Sequence, residues 1–206
     1  MDLSTYSGLK SAVASYLARE DLTNEIPVFI QMAENRLRRD LRIRQMLKVA
    51  TTNTVANDAT VQIPSDFLQM RDLHINNNPI TVLKYESPSN FYRNTFSLIN
   101  GVPKQYTLLS DQFQLAPIPD DAMTLQMLYY AAPPYLSDTN SSNVFLATCP
   151  DLLLYASLGE AEPYLMNDPR LTTWANMYDR GLQSLTVSDD QGEYAGSPLA
   201  ITLSTR

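Results

Sequence analysis

The chain has 206 residues, of which 44% are hydrophobic and 18% are charged, a composition typical of a folded globular protein. The formal net charge of -7 argues against a protein that wraps nucleic acid non-specifically with its whole surface. A single cysteine, Cys149, excludes an internal disulfide framework and fits a reducing cytoplasm. The amino-terminal segment lacks the basic start and apolar core of a secretory signal, and no stretch approaches the roughly 18 apolar residues that span a bilayer. We therefore predict a soluble protein made in the cytoplasm.

The amino-terminal region, residues 4 to about 48, predicts two helices. In the first helix the apolar residues recur at i, i+4, i+7 and i+8, so that they share one face. These residues are Leu9, Val13, Tyr16 and Leu17. The second helix carries an apolar stripe spaced by about one turn, made of Ile26, Ile30, Ala33, Leu37 and Leu41.

The middle region, about residues 55 to 138, predicts β-structure. Residues 123–130 alternate with a period of two, which is typical of a half-buried strand. Two turn signals, at Asn76–Asn78 and at Ser110–Asp111, predict hairpins, because asparagine tolerates positive φ. We predict a small antiparallel sheet or a sandwich.

The carboxy-terminal region returns to helices, which begin near Pro150 and Pro169, both at favourable first-turn positions. The last helix carries an apolar face made of Leu171, Trp174, Ala175, Tyr178, Leu182 and Leu185. Residues 188–206 predict a flexible arm that ends in a strand-forming segment. The alternating apolar residues of that segment are Leu199, Ile201 and Leu203.

Neither end of the chain has enough helices to close a core alone, so the economical arrangement packs the two ends together. The predicted fold class is α+β. Residues 1–52 and 143–187 form a discontinuous helical bundle, residues 55–138 form an inserted antiparallel β-sheet or sandwich domain, and residues 188–206 form the arm.

The search for catalytic and metal-binding groups finds little. His74 is the single histidine and lies in a predicted strand. Cys149 precedes a helix, and for this cysteine a buried apolar role is favoured over a nucleophilic one. The acidic pairs Asp120–Asp121 and Asp189–Asp190 lack the glycine and the spaced oxygens of a calcium loop. No glycine-rich phosphate loop is present. The sequence predicts no catalytic residue, no metal and no cofactor.

A cluster of basic residues stands out in an acidic chain. It contains Arg36, Arg38, Arg39, Arg42, Arg44 and Lys48, six of the fifteen basic residues. One interpretation is the solvated face of an amphipathic helix. The other is a contact with an acidic partner surface or with the phosphates of passing DNA.

Three tyrosines next to Pro133–Pro134 form a second candidate surface. Tyrosine offers a large contact area at low entropic cost, which favours it at interfaces. The candidates are Tyr129, Tyr130 and Tyr135. Ordinary packing within the sheet is the alternative.

Three segments together resemble a known family. They are IPSDFLQMRDL at 63–73, GVPKQYTLLSDQFQLAPIPDDAMTLQMLYYAAPPYLSD at 101–138, and PDLLLYASLGEAEPYLMNDPRLTTWANMYDRGLQSL at 150–185. With the basic amino-terminal helix, they resemble the phage head-to-tail adaptor family, which includes the tail tubular proteins of short-tailed phages. The resemblance covers roughly residues 1 to 187.

This resemblance implies a structural role with no catalytic residues to transfer. It implies a helical bundle with an inserted β domain, about twelve copies of which form a ring under the portal protein ring. That ring continues the DNA channel, and DNA passes through it without sequence-specific binding. No membrane is involved, and the far side of the ring receives the tail nozzle or tail proteins. The expected location is the head–tail junction of the virion, after synthesis in the host cytoplasm. The alternatives are a stopper or tail-completion protein at another ring of the virion, and a small hydrolase that uses His74 or Cys149.

Overall fold

The computed structural model describes residues 2–19, 21–93, 99–165 and 168–194. Within that part of the chain, the ranges 1–45 and 133–206 contribute to one compact unit, and residues 46–132 form a second. We call them the helical unit and the sheet unit. The predicted α+β class is confirmed, because helices from both ends of the chain flank a sheet region.

Helices from both ends of the chain flank the strands in sequence, and one short helix lies among the strands. The helices are α1 (Tyr6–Leu17), α2 (Ile26–Asp40), α3 (Pro88–Arg93), α4 (Val144–Thr148), α5 (Pro150–Glu160), α6 (Glu162–Leu165) and α7 (Leu171–Tyr194), with a short 3-10 turn at Arg44–Met46. The strands are β1 (Leu47–Asn53), β2 (Thr60–Gln62), β3 (Phe67–Ile75), β4 (Thr81–Val82), β5 (Lys84–Tyr85), β6 (Gln105–Leu109), β7 (Gln112–Ala116) and β8 (Thr124–Ala131). None of the described helices is long and apolar enough to cross a membrane.

The core of the helical unit is built around α5, which packs against α1, α2, α4 and α7. A helix that is apolar on all sides is expected to lie inside a protein. The buried residues of α5 are Leu152, Leu153, Leu154, Ala156, Ser157 and Leu158. The residues at the helix starts stabilise this arrangement: Thr5 accepts a hydrogen bond from the backbone N–H of Gly8 at 3.2 Å, and Pro27 lies in the first turn of α2.

The last helix is longer than the sequence predicts. α7 continues to Tyr194, so the prediction of a flexible arm from residue 188 is wrong for residues 188–194. The reason is tertiary, because Asp189 accepts hydrogen bonds from Arg44 and thereby stabilises the final turns. The rest of the predicted arm, including Leu199, Ile201 and Leu203, lies outside the described residues.

The sheet unit contains two four-stranded sheets with the strand orders β1-β8-β3-β4 and β2-β7-β6-β5. The strand pairings are antiparallel, apart from the parallel pair β5–β6. Buried side chains from both sheets form one hydrophobic core, as in a sandwich. They are Val61, Leu73, Ile75, Leu83, Tyr106, Phe113, Leu115, Leu125, Met127 and Tyr129.

Both predicted hairpins and the predicted strand at 123–130 are confirmed. β3 turns into β4 around Asn76–Asn78, with His74 opposite Val82. β6 turns into β7 at Ser110, which adopts a positive φ of 54°. Along β8, Leu125, Met127 and Tyr129 point into the core, as the alternation indicates.

Both boundaries between the helical unit and the sheet unit differ from the predicted ones. β1 pairs with β8 along its whole length and so belongs to the sheet unit, whereas the sequence predicts helical structure through residue 48 and a helical domain through residue 52. Residues 133–138, predicted in the β domain, pack with the helical unit. Pro133 and Pro134 have no backbone N–H to donate, so the pairing of β8 ends before them.

Candidate interaction surfaces

The six basic residues do not share one helix face, because α2 ends at Asp40. Arg36, Arg38 and Arg39 lie on α2, Arg42 follows it, Arg44 lies in the 3-10 turn and Lys48 lies on β1. The interpretation of the cluster as one amphipathic face is therefore wrong. The turn between Asp40 and Leu47 breaks the helical period, and each side chain has its own surroundings.

Arg36 connects α2 to two other helices. Its guanidinium lies 4.2 Å from the centre of the Tyr178 ring on α7 and 4.0 Å from a carboxylate oxygen of Glu160 on α5. The Tyr178 hydroxyl donates a hydrogen bond to Asp40 at 2.8 Å, and burial together with this bond raises the pKa of Tyr178. These contacts place Arg36 among stabilising interactions within the helical unit.

Arg38 holds the segment that follows β8. Its guanidinium stacks on the Tyr135 ring at 3.5 Å from the ring centre and donates to the backbone oxygen of Pro133. The Tyr135 hydroxyl in turn donates to Asn35 at 2.6 Å. Arg38 therefore fixes Tyr135 beside α2, with part of the ring still exposed.

Glu34 anchors the same segment and was missed by sequence reasoning. Only 1% of this residue is exposed, and its carboxylate accepts hydrogen bonds from the backbone N–H of Leu136 at 3.1 Å and the side chain of Asn143 at 2.6 Å. Burial raises the pKa of Glu34, against the opposing effect of these two bonds and of the Arg38 charge. Asn143 also caps α4 by accepting from Leu146 at 3.1 Å. The sequence feature that indicates a buried Glu34 is its position beside Ala33, inside the apolar stripe of α2.

Arg42 and Arg44 secure the ends of two helices. Arg42 donates to the backbone oxygens of Arg38 and Leu41 at 2.7 and 2.6 Å, which satisfies carbonyl groups at the end of α2. Arg44 donates from its backbone N–H and its Nε to Asp189 at 3.2 and 3.0 Å. A Cβ on Gly192 would overlap the Arg44 guanidinium, which therefore lies directly against α7.

Lys48 forms an ion pair within the sheet unit. Its ammonium lies 2.6 Å from Asp66, and the same carboxylate accepts a hydrogen bond from Tyr129 at 2.8 Å. Desolvation alone would raise the pKa of Asp66, but the bonds from Lys48 and Tyr129 together lower it. The ring of Tyr129 is 1% exposed and belongs to the sandwich core, so it is not available as a contact surface. Its neighbour Tyr130 is partly exposed and accepts from Arg71 at 2.9 Å.

Arg39 differs from the other five residues. It is exposed, and within the ranges that the structure describes it has no hydrogen-bond or ion-pair partner. It lies on the outward face of α2 with two exposed apolar residues, Val28 at 51% and Met32 at 44%. We call the set Val28, Met32, Asn35 and Arg39 the α2 ridge. These residues are spaced at i, i+4, i+7 and i+11, so they line up along one side of the helix.

A groove of about 410 Å³ adjoins the α2 ridge. Its walls come from α1, from the start of α2 and from the segment after β8, and they include Tyr6, Lys10, Pro27, Val28, Tyr135 and Leu136. Lys10 lies 4.5 Å from the Tyr6 ring centre and pairs with Asp138 at 2.8 Å. Apolar walls with a polar rim are common at sites that accept a protein partner.

The two residues of the hydrolase alternative belong to different units of the fold. His74 pairs with Asp72 at 2.8 Å on a strand of the sheet unit, and Cys149 belongs to the helical unit. Burial raises the pKa of Cys149 to about 12, so its thiol stays protonated at neutral pH. No cluster of three or more potential metal ligands occurs within the described ranges.

A family model described as SU10 adaptor protein matches residues 4–202, which is nearly the whole chain. No curated protein matches the sequence. The matched range contains the helices of both ends and the inserted sheet unit, so the similarity extends over the complete architecture described above. The chain therefore belongs to the SU10 adaptor protein family, a family of phage adaptors and hence of structural virion components.

Proposed function

We propose that the protein is a head-to-tail adaptor of which about twelve copies form a ring beneath the portal of a tailed phage. The ring continues the DNA channel and receives the tail nozzle on its far side. The match of residues 4–202 to a phage adaptor family carries this proposal. It is supported by a helical unit with a largely buried central helix, α5, which gives the ring subunit a rigid body.

The basic residues divide between two roles in this proposal. Arg36, Arg38, Arg42, Arg44 and Lys48 already bond to groups of the same chain, so their main effect is to position helices and strands. Arg39 is the residue of this set that we assign to partner contact, together with the exposed part of Tyr135. Because the chain has a net charge of -7 and few of these basic residues are free of partners, we expect DNA to pass through the channel without specific binding.

We assign the carboxy-terminal segment an assembly role. Leu199, Ile201 and Leu203 alternate, so this segment is suited to add a strand to a neighbouring copy or to the portal. The entropy lost on ordering such a segment is recovered only when a partner surface is present, which favours assembly on the portal over assembly in solution. Deletion of residues 195–206 should leave a folded monomer, since α7 ends at Tyr194, that assembles poorly. Normal assembly of the truncated protein would contradict this role.

Mass photometry of the protein alone and mixed with the portal encoded by the same genome tests the proposal. The expected result is a portal whose mass rises by about twelve times the 23.2 kDa of one chain. No rise in the mass of the portal would remove the portal-facing role. It would favour the alternative of a stopper or tail-completion protein, whose ring lies elsewhere in the virion.

The hydrolase alternative makes a separate prediction. If the protein is structural, the substitutions His74→Ala and Cys149→Ala leave the number of copies bound to the portal unchanged, provided that the variants fold. A hydrolytic activity that either substitution abolishes would establish the enzyme instead.

A further inference from the structure

We propose that each copy in the ring inserts residues 199–203, as a β-strand, into an apolar groove of the sheet unit of the next copy. This inference rests on the proposed ring and names the acceptor of the carboxy-terminal segment. A ring of identical subunits requires two different, complementary surfaces on each copy. A donor segment and an acceptor groove are two such surfaces.

The acceptor groove lies between the two sheets of the sheet unit and has a volume of about 400 Å³. Its walls come from β3 of one sheet and from β5, β6 and β7 of the other, and they include Phe67, Leu68, Met70, Tyr85, Leu108 and Phe113. Phe113 is fully buried at its floor, with its ring 5.6 Å from that of Phe67 and 5.9 Å from that of Tyr106. At the rim, Tyr85 is 53% and Leu108 is 38% exposed. The groove therefore offers an apolar floor and rim to an aliphatic side chain.

One edge of β6 is open beside this groove. β5 pairs with β6 at Gln105 and Tyr106, and the carbonyl oxygen of Tyr106 also accepts from the backbone N–H of Glu86 at 2.9 Å. Successive residues of a strand direct their backbone groups to opposite sides, so Leu108 directs its N–H and C=O to the same side as Tyr106. Among the residues that the structure describes, no strand pairs with Leu108 on that side. A segment that continues the line of β5 would find these two groups available for hydrogen bonds.

The side chains at this edge favour the addition of a strand. Exposed hydrophobic edges are sites where a further strand pairs, and lysine on an edge discourages such pairing. β1 also lies at the edge of its sheet, but three of its four exposed side chains are polar, namely Lys48, Thr51 and Asn53. The edge of β6 presents Leu108 instead, so it is the better acceptor.

The donor segment has the pattern that this edge requires. Leu199, Ile201 and Leu203 alternate with Ala200 and Thr202, so that in a strand the three larger apolar side chains share one face. That face can enter the groove while the small and polar side chains of the other face meet solvent. The family match extends to residue 202, so most of the segment belongs to the matched region.

The carboxy-terminal segment begins close to its anchor. From Tyr194, the last residue of α7, to Leu199 the chain advances five residues, which span at most about 17 Å. In the ring, α7 of one copy must therefore end within about that distance of the groove of the next. The groove beside the α2 ridge is a poorer acceptor for a strand, because the backbone groups of a helix bond within the helix and leave no sheet edge.

Disulfide cross-linking between two different copies tests the docking. One variant carries Leu108→Cys and the other carries a cysteine at one position from 199 to 203, and the two are mixed before the portal is added. Oxidation of the portal-bound ring should give a covalent dimer of about twice the 23.2 kDa of one chain. Cys149 is 2% exposed and should not interfere.

The matched controls lie within the donor segment itself. The highest yield of dimer should come from Leu199→Cys, Ile201→Cys or Leu203→Cys. Ala200→Cys and Thr202→Cys should give several-fold less, because their side chains point to the other face of the strand. Equal yields at all five positions would overturn docking as a strand.

The outcomes separate this contact from the ring itself. If the wild type adds about twelve copies to the portal but the mixtures give no dimer, the ring stands and docking on the next copy is overturned. A chain that carries both Leu108→Cys and Ile201→Cys then shows whether the segment binds its own sheet unit, by a disulfide within one chain. No disulfide there either would direct the segment to the portal. If the wild type adds no mass to the portal, the proposed function fails, and this contact with it.

A charge in the groove gives a second readout. Leu108→Asp and Ile201→Asp should each raise the concentration needed for half-saturation of the portal by about tenfold or more, as the loss of a central apolar anchor does at an interface. The double variant should lose no more than either single variant, because both changes break the same contact. Ile201→Asp lies outside the sheet unit and keeps the test valid if Leu108→Asp does not fold. Val55→Asp is the control, since Val55 is a 61% exposed valine of the same unit outside the groove. Fully additive losses, or an equal loss in the control, would overturn the contact.

Discussion

Glu34 in the helical unit and Asp66 in the sheet unit each hold a neighbouring segment of the chain, and the two carboxylates differ in the direction of their pKa shift. Glu34 binds the segment after β8 from a fully buried position, and burial raises its pKa. Asp66 joins β1 to β8 through Lys48 and Tyr129 from a partly exposed position, and the bonds to it lower its pKa. The balance between desolvation and the bonds to the carboxylate decides the direction of each shift in pKa: desolvation outweighs the bonds at the buried Glu34, and the bonds outweigh desolvation at the partly exposed Asp66.

The strongest test of the helical side is the removal of the buried carboxylate. Glu34→Ala leaves the Leu136 N–H and the Asn143 amide without an acceptor, and should lower the free energy of unfolding by about 3 kcal/mol. Urea denaturation followed by circular dichroism measures the change. Glu160→Ala is the control on the neighbouring helix, because its contact with Arg36 is long at 4.0 Å and should contribute little. Equal losses in the two variants would mean that the Glu34 network is not a special anchor.

A smaller effect is expected from crowding the contact between α7 and α5. A Cβ at Gly181 would lie 2.7 Å from a methyl carbon of Leu152, so Gly181→Val should cost about 2 kcal/mol through overpacking. Gly159→Ala provides the comparison, because a Cβ there meets its nearest atom at 3.8 Å and alanine favours the helix. Thermal melting of both variants measures the difference. A Gly181→Val variant as stable as the wild type would show that α7 does not depend on this close approach.

In the sheet unit, Asp66→Asn should cost about 1 kcal/mol at neutral pH, since it removes a partly exposed ion pair and weakens the bond from Tyr129. Because the folded pKa of Asp66 is lowered, the stability that it contributes is present above its unfolded pKa, near 3.8, and is lost as the pH falls through the folded pKa. The stability difference between wild type and Asp66→Asn should therefore shrink below about pH 4. Urea denaturation across that range measures it, and a difference that does not change with pH would contradict the ionic role.

Glu34→Gln should show the opposite pH dependence. Because the folded pKa of Glu34 is raised, its contribution is fully present below the unfolded pKa, near 4.5, and is lost as the pH rises through the folded pKa. The glutamine variant cannot ionise, so its stability relative to the wild type should improve as the pH rises above about 4.5. The same denaturation series serves for both variants. If the two differences change in the same direction with pH, the contrast between the two carboxylates is wrong.

Much of the architecture follows from periodicity. The α2 stripe of Ile30, Ala33 and Leu37 and the alternation along β8 predict elements that the structure contains, and the asparagines at 76–78 mark a real turn. These signals are local, since helix and strand periods are set by neighbours a few residues apart. The end of α2 escaped prediction because Leu41 and Ile43 are buried and extend the apolar pattern beyond Asp40.

The class of fold, the order of its elements and the concentration of basic residues near the end of α2 could all be predicted from the sequence. What most of those basic residues do depends on tertiary contacts, because several of their partners lie far along the chain. Arg44 meets Asp189, 145 residues away, and Arg38 meets Pro133, 95 residues away. A cluster that is compact in sequence is thus divided among several contacts, and Arg39 is left exposed because α2 turns it away from the core.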